Sequence, residues 1–193
     1  IGDKGPDHRV RGALPWSYRD HPCPKWSGFM RNVFLNDADG EAKQRCVQEF
    51  FGLCLLGAAP AYEKAMVLYG TGSNGKSVLL DVMQRAFPPS AVASVPPQAL
   101  DDQYYRAHLN GITLNVVSEL PQREIVDSPA FKGVISGDKI SARHPTERAF
   151  EYRPRAGHIF AVNPPLPSVG DLSRGFWRRF TFITFNRNFD AEQ

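Results

Sequence analysis

The chain has 193 residues, 42% of them hydrophobic, and a formal net charge of +3. That size suits one α/β domain with a small appendage and is enough to bury a real core. No apolar run approaches the ~20 residues of a membrane span, and no basic-then-apolar leader opens the chain, so membrane and secretory classes are set aside and an intracellular, cytoplasmic protein is expected.

Residues 1–28 are rich in Pro, Gly and charge and read as a lead-in. Because the first residue is Ile1, the chain is expected to be a piece of a longer protein. Trp26, Phe29, Met30, Phe34 and Leu35 suggest a short helix. From Gly40 to Leu56, Cys46, Val47, Phe50, Phe51, Cys54 and Leu55 recur at helical spacing, Asp37 and Asp39 stand before the start, and Gly57 closes the helix. We therefore expect a small N-terminal helical region over 1–57 and a nucleotide-binding core over 58–193. The three cysteines, Cys23, Cys46 and Cys54, contain no C-x-x-C pair and read as reduced thiols.

Ala65–Tyr69 reads as a short buried strand, and it runs into Gly70-Thr71-Gly72-Ser73-Asn74-Gly75-Lys76-Ser77. That stretch satisfies G-x-x-x-x-G-K-[ST] without a mismatch, and Ser77–Met83 continues it as a helix. Glycines let the backbone curl so that successive N–H groups face an anion. Lys76 would then reach the β- and γ-phosphates of ATP, Ser77 would offer its hydroxyl to Mg²⁺, and the helix N-terminus would face the same charge.

Farther on, Ala91–Val95 reads as a strand ended by Pro96-Pro97, and Tyr104–Leu109 as a helix. Gly111–Glu119 is a strongly apolar strand ending in an acid. His158–Asn163 is another, ending in an amide before Pro164-Pro165, and Phe180–Phe185 is the last. Between them, Lys139–Arg143 and Ala149–Arg153 alternate like the arms of a hairpin with His144, Pro145 and Thr146 at its turn.

A phosphate loop needs an acid and a water-orienting group to hydrolyse anything. Glu119 and Asn163 each stand at the C-terminal end of an apolar strand, where doubly wound sheets bind ligands. Glu119 would serve as metal-shell acid or as general base, and Asn163 would contact the γ-phosphate and the attacking water. The pair Arg178-Arg179, set among Phe176, Trp177 and Phe180, would supply an arginine to a neighbouring subunit's γ-phosphate; the plainer expectation is that one pairs with a carboxylate of its own domain and the other is solvated. Residues 139–187 carry nine Lys or Arg against three Asp or Glu. A basic hairpin tip suits a phosphate backbone of any sequence.

The ordered set GTGSNGKS, ITLNVVSEL, FKGVISGDKISAR, HIFAVNPP and GFWRRFTFITF, running from about Cys23 to Phe189, resembles the superfamily III helicase domain of phage and plasmid primase-helicase proteins, the group that includes the poxvirus primase-helicase. The resemblance implies an AAA+ fold with a parallel sheet between helices, Gly70–Ser77 as Walker A and Glu119 as the Walker B acid. It also implies Lys132–Arg143 as a DNA-associated motif, Asn163 as sensor 1 and Arg178 or Arg179 as arginine finger. With the hairpin reading, Lys132, Lys139, Arg143, His144 and Arg148 become the nucleic-acid candidates. Implied too are a homo-oligomeric ring, usually a hexamer, around single-stranded DNA, 3′ to 5′ translocation, and a primase module N-terminal to this segment in the parent protein. Many relatives end the second motif in two acids, whereas Ser118 precedes Glu119 here; Glu124 and Asp127 are further acids nearby. Two other readings stay open, a P-loop nucleotide kinase and a nucleotide-gated DNA-binding assembly module with weak turnover.

Overall fold

The computed structural model describes residues 20–120, 128–168 and 174–190. The lead-in expected over 1–28 therefore falls largely outside the described residues, as do Glu124 and Asp127. Among the described residues no helix is long and apolar enough to cross a membrane.

Helices α1 (Pro24–Val33) and α2 (Gly40–Leu56) come first. Pro24 sits in the first turn of α1, where its missing N–H costs nothing. Gly57 ends α2 at φ +61°, and Arg155 donates to the carbonyls of Leu56 (3.2 Å) and Gly57 (3.4 Å) at that helix end.

Five strands build the main sheet in the order β2-β3-β6-β1-β7, every neighbouring pair parallel. They are β1 (Ala65–Tyr69), β2 (Val92–Ala93), β3 (Leu114–Val117), β6 (Gly157–Val162) and β7 (Phe180–Thr184). Strands β4 (Ile140–Ala142) and β5 (Phe150–Tyr152) form a separate antiparallel hairpin. Helices α3 (Lys76–Arg85), α4 (Gln103–Ala107), α5 (Pro129–Ser136) and α6 (Arg174–Trp177) complete the order.

The apolar runs of the strands are sorted by their two-residue period. Met66, Leu68, Leu114, Val116, Ile159 and Ala161 face one core with Met30, Phe50, Cys54, Leu79 and Met83 of α1–α3. Ala65, Val67, Val117, Phe160 and Val162 face the other, with Phe131 and Val134 of α5 and Phe176 of α6. A parallel sheet covered on both faces is the expected architecture and explains why these strands read as continuous apolar runs instead of alternating ones.

Two strands are shorter than their sequence suggests. The turn over Pro89–Ala91 and the prolines at 96–97 leave β2 only two residues. Gly111, at φ +83°, cannot join β3, and Ser118 and Glu119 lie past its paired end. Helix α5 has no counterpart among the elements expected from periodicity, although its signals are local: Ser128 Oγ accepts from Phe131 N at 3.0 Å, Pro129 opens the first turn, and Gly137 ends it at φ +70°.

Candidate functional site

The phosphate loop leaves the C-terminal end of β1, and its glycines are required by contact as much as by conformation. A Cβ on Gly70 would lie 2.5 Å from Phe185 O and 2.7 Å from Asn74 Nδ2. Gly75 takes φ +90° with Val33 of α1 packed against it. Lys76, only 6% exposed, donates to Gly70 O (2.6 Å), Thr71 O (3.0 Å) and Asn74 Oδ1 (3.1 Å). Burial holds this ammonium below the ordinary lysine pKa. A buried cation that faces only neutral carbonyls is suited to receive an anion, which would offset its desolvation.

Register brings the other polar groups to the same edge. Tyr69 of β1 pairs with Val162 of β6, so Gly70 and Asn163 leave the sheet side by side, and Gly70 N donates to Val162 O at 3.2 Å. Val117 of β3 pairs with Phe160, and Leu120 N donates to Ala161 O at 3.0 Å, which fixes Ser118 and Glu119 beside them. Gly72, Ser73, Asn74, Gly75, Lys76, Ser77, Val78, Ser118, Glu119 and Asn163 line one cleft of about 330 Å³. Glu119, Asn163 and Ser77 are exposed to solvent. The cleft thus combines a backbone anion cradle, one ammonium, a hydroxyl and a carboxylate suited to Mg²⁺, and an amide able to donate and accept.

A second hold on the loop is not legible in the sequence. After β7 the chain returns to the phosphate loop, where Phe189 N donates to Ser73 O at 2.8 Å and Ser73 Oγ donates to the Asp190 carboxylate. Ser73 itself has φ +55°. The returning segment is anchored to α1 and α2: Lys43 Nζ, largely buried, donates to Thr184 Oγ1 and to Asp37 at 2.8 Å each, Asn186 Nδ2 donates to Asp37 at 2.9 Å, and Arg187 donates to Asn32 O at 2.7 Å. Its polar residues lack motif spacing, so nothing local marks them; only the path of the chain does.

The two arginines differ sharply. Arg178 is exposed and pairs with Glu63 at 2.7 Å, while Arg179 is 8% exposed and donates to Gly175 O in its own chain. One therefore pairs within the domain as expected, but the other is buried instead of solvated, its backbone N donating to Phe176 O at 3.0 Å where α6 meets β7. Both lie at the N-terminal end of β7, opposite the cleft, and the five residues of that strand separate the two ends by about 15 Å.

The hairpin stands as its sequence suggests, Ile140 opposite Tyr152 and Ala142 opposite Phe150. Lys139 pairs with Glu151, Arg143 Nε donates to Glu147 O at 2.9 Å, His144 stacks on Phe150 with ring centroids 5.4 Å apart, and Arg148 is exposed. Lys132 is half-buried on α5 and not on the hairpin.

Residues 68–179 match the family of unknown function DUF5906. None of the curated proteins matches the chain. Among solved structures, the A-form apo NrS-1 C-terminal region aligns with a TM-score of 0.63 at 18% identity, covering 86% of this chain and 38% of that one. A second apo structure of the NrS-1 C-terminal region gives 0.61 at 19%, covering 86% and 40%. JCV helicase, solved with a bound acetamide compound, gives 0.51 at 13%, covering 90% and 48%. The chain spans less than half of each of these structures, and at such identities the likeness establishes the fold alone, a parallel α/β sheet flanked by helices.

Proposed function

The chain belongs to the DUF5906 family, and from the site itself we propose that it is an ATP-hydrolysing motor domain of the superfamily III helicase type, acting on single-stranded DNA in the replication of a phage, plasmid or related element. The observation that carries this reading is the convergence of phosphate loop, Ser118, Glu119 and Asn163 on one cleft at the C-terminal edge of a parallel sheet.

In this reading Gly70, Thr71, Gly72, Ser73, Asn74 and Gly75 cradle the phosphates with backbone N–H groups, and Lys76 turns from the loop carbonyls to the β- and γ-phosphates. Ser77 and Glu119 would hold Mg²⁺, which supplies charge to the phosphates when bound. Asn163 orients the attacking water, and Glu119 accepts its proton directly or through a second water.

Arg178 and Arg179 stand at the far end of β7 from this cleft, too far to complete it within their own chain, which supports a site shared between subunits of a ring. Arg178, exposed and held by the partly exposed Glu63 carboxylate, is the better candidate to reach a neighbour's γ-phosphate; Arg179 is committed to its own fold. Arg143, His144 and Arg148 at the hairpin tip, with Lys139 at its base and Lys132 on α5, are the DNA contacts. A primase module elsewhere in the parent protein fits the same reading.

Steady-state ATPase assays with and without single-stranded DNA test it. DNA-stimulated turnover that Lys76→Ala abolishes, and that Glu119→Gln abolishes without loss of ATP binding, is the expected result. Turnover that depends on a small phosphate acceptor would instead make the protein a nucleotide kinase, and tight ATP binding without turnover would make it a switch.

A further inference from the structure

A two-stranded hairpin has too little buried surface to hold its own place, so its neighbours decide where its tip points. Strands β4 and β5 are outside the main sheet. From the α5 side they are held by Ile140, which lies against Gly133. On the other side lies α4, where one residue makes hydrogen bonds to both strands.

Arg106, half-buried, uses its guanidinium as a three-way fork: Nε donates to Ser141 O of β4 at 2.9 Å, and one terminal nitrogen donates to Leu100 O at 2.9 Å and Asp101 O at 2.8 Å. Its own carbonyl accepts from Tyr152 Oη of β5. One residue thereby grips both strands, and Arg143 N adds a bond to Gln103 O at 3.2 Å one turn away. Three carbonyls around one guanidinium, with no carboxylate among these contacts, is an arrangement for geometry and not for charge neutralisation.

The loop that Arg106 grips is tied in turn to β3, the strand that leads into Glu119. Asn115, fully buried in the middle of β3, accepts from Val95 N at 2.7 Å and donates to Val95 O at 2.9 Å, so the segment leading to Leu100 and Asp101 is pinned to β3. A path of hydrogen bonds joined by the short backbone segment 96–99 therefore runs from β3 through Val95, the 100–101 carbonyls and Arg106 to both arms of the hairpin.

The geometry points to Arg106 as a positioning residue that fastens the β4–β5 hairpin to helix α4 and to the loop after Val95, so that the occupant of the Glu119 cleft and the ligand at the hairpin tip influence each other's binding. This rests on the reading above, in which the cleft takes ATP and the hairpin single-stranded DNA. Arg106 touches neither ligand.

Spatial continuity alone does not establish coupling, which has to be measured as a change in affinity. The Kd of a fluorescein-labelled oligothymidylate is therefore measured with and without saturating AMP-PNP, for wild type, Arg106→Met and Arg106→Lys, beside hydrogen exchange of the hairpin amides. In wild type the analogue should shift the oligonucleotide Kd by about fivefold or more, and the oligonucleotide should shift the analogue's Kd by the same factor. Both variants should keep each ligand's separate Kd within about threefold, abolish the coupling, and exchange the 140–142 and 150–152 amides roughly tenfold faster, with β1 and β6 unchanged. Lysine keeps the charge but carries its donors on a single nitrogen, which cannot span the separate places from which Nε reaches Ser141 O and the terminal nitrogen reaches Leu100 O and Asp101 O, so coupling restored by Arg106→Lys would overturn the clamp, as would coupling retained in Arg106→Met or unchanged hairpin exchange. A wild type that binds both ligands without coupling overturns this inference and leaves the ATPase reading standing. A wild type that binds neither ligand overturns that reading and the coupling with it, while the exchange data still judge the clamp.

Discussion

His158 should make the fold acid-labile over a defined window. It lies on β6 opposite Asn115 of β3, 1% exposed, and burial lowers its pKa from 6.5 to about 4. The hydrogen bonds fix its tautomer: Asn115 Oδ1 is taken by Val95 N, so Asn115 Nδ2 donates to His158 Nδ1 at 3.0 Å, and the ring proton resides on Nε2. Protonation would place a second donor against that amide in a buried site. Because the folded pKa is depressed, the unfolded chain binds the proton first as pH falls; the stability is fully present above pH 6.5 and is lost progressively toward pH 4. A shift of this size, at about 1.4 kcal/mol per unit, amounts to about 3 kcal/mol at the lower end. Urea unfolding of wild type and His158→Gln at pH 7, 6, 5 and 4, extrapolated linearly to water, measures it as the difference between the two curves, which cancels the other titrating groups. The stability advantage of wild type should shrink by about 3 kcal/mol across that range. An advantage that stays constant with pH would show that His158 takes up its proton alike in the folded and the unfolded chain, and would refute the effect of burial.

Gly70→Ala should destabilise the protein by about 1–3 kcal/mol, since its Cβ meets backbone that cannot yield, whereas Gly72→Ala, with nothing within 4 Å, should stay within about 0.5 kcal/mol in the same unfolding assay. Replacing Arg143, His144 and Arg148 together with Ala should weaken oligonucleotide binding and lower the slope of log K against log salt by about 0.7 for each phosphate that is no longer neutralised, with basal ATPase retained; an unchanged slope would move the DNA-binding surface to another face. Mixing Arg178→Ala subunits with Lys76→Ala subunits, each inactive alone and each checked for assembly, should restore part of the ATPase activity, because one mixed interface contains both intact residues. No recovery despite subunit exchange would end the assignment of Arg178 to a shared site.

Much of the site is legible in the sequence because its signals are local. Gly70–Ser77 is a contiguous pattern whose chemistry depends on its own backbone, and Glu119 and Asn163 are marked by the apolar runs they terminate. Caps and periodicity likewise announce α2, β1, β6 and the hairpin, and Ser128-Pro129 with Gly137 announce α5 to a reader who weighs caps above alternation.

Other features depend on which distant strands become neighbours, and no local pattern records that. Arg178 and Arg179 are adjacent and chemically identical, yet the turn from α6 into β7 leaves one exposed and buries the other. His158 and Asn115 meet only because β3 and β6 pair in that register. The return of Phe189 and Asp190 to Ser73, and the grip of Arg106 on Ser141, likewise follow from packing, since hydrogen bonds between residues far apart in sequence are set by the sheet and its covering helices. Residue type and spacing were sufficient to single out Gly70–Ser77, Glu119 and Asn163; the partners that hold them in position required the folded arrangement.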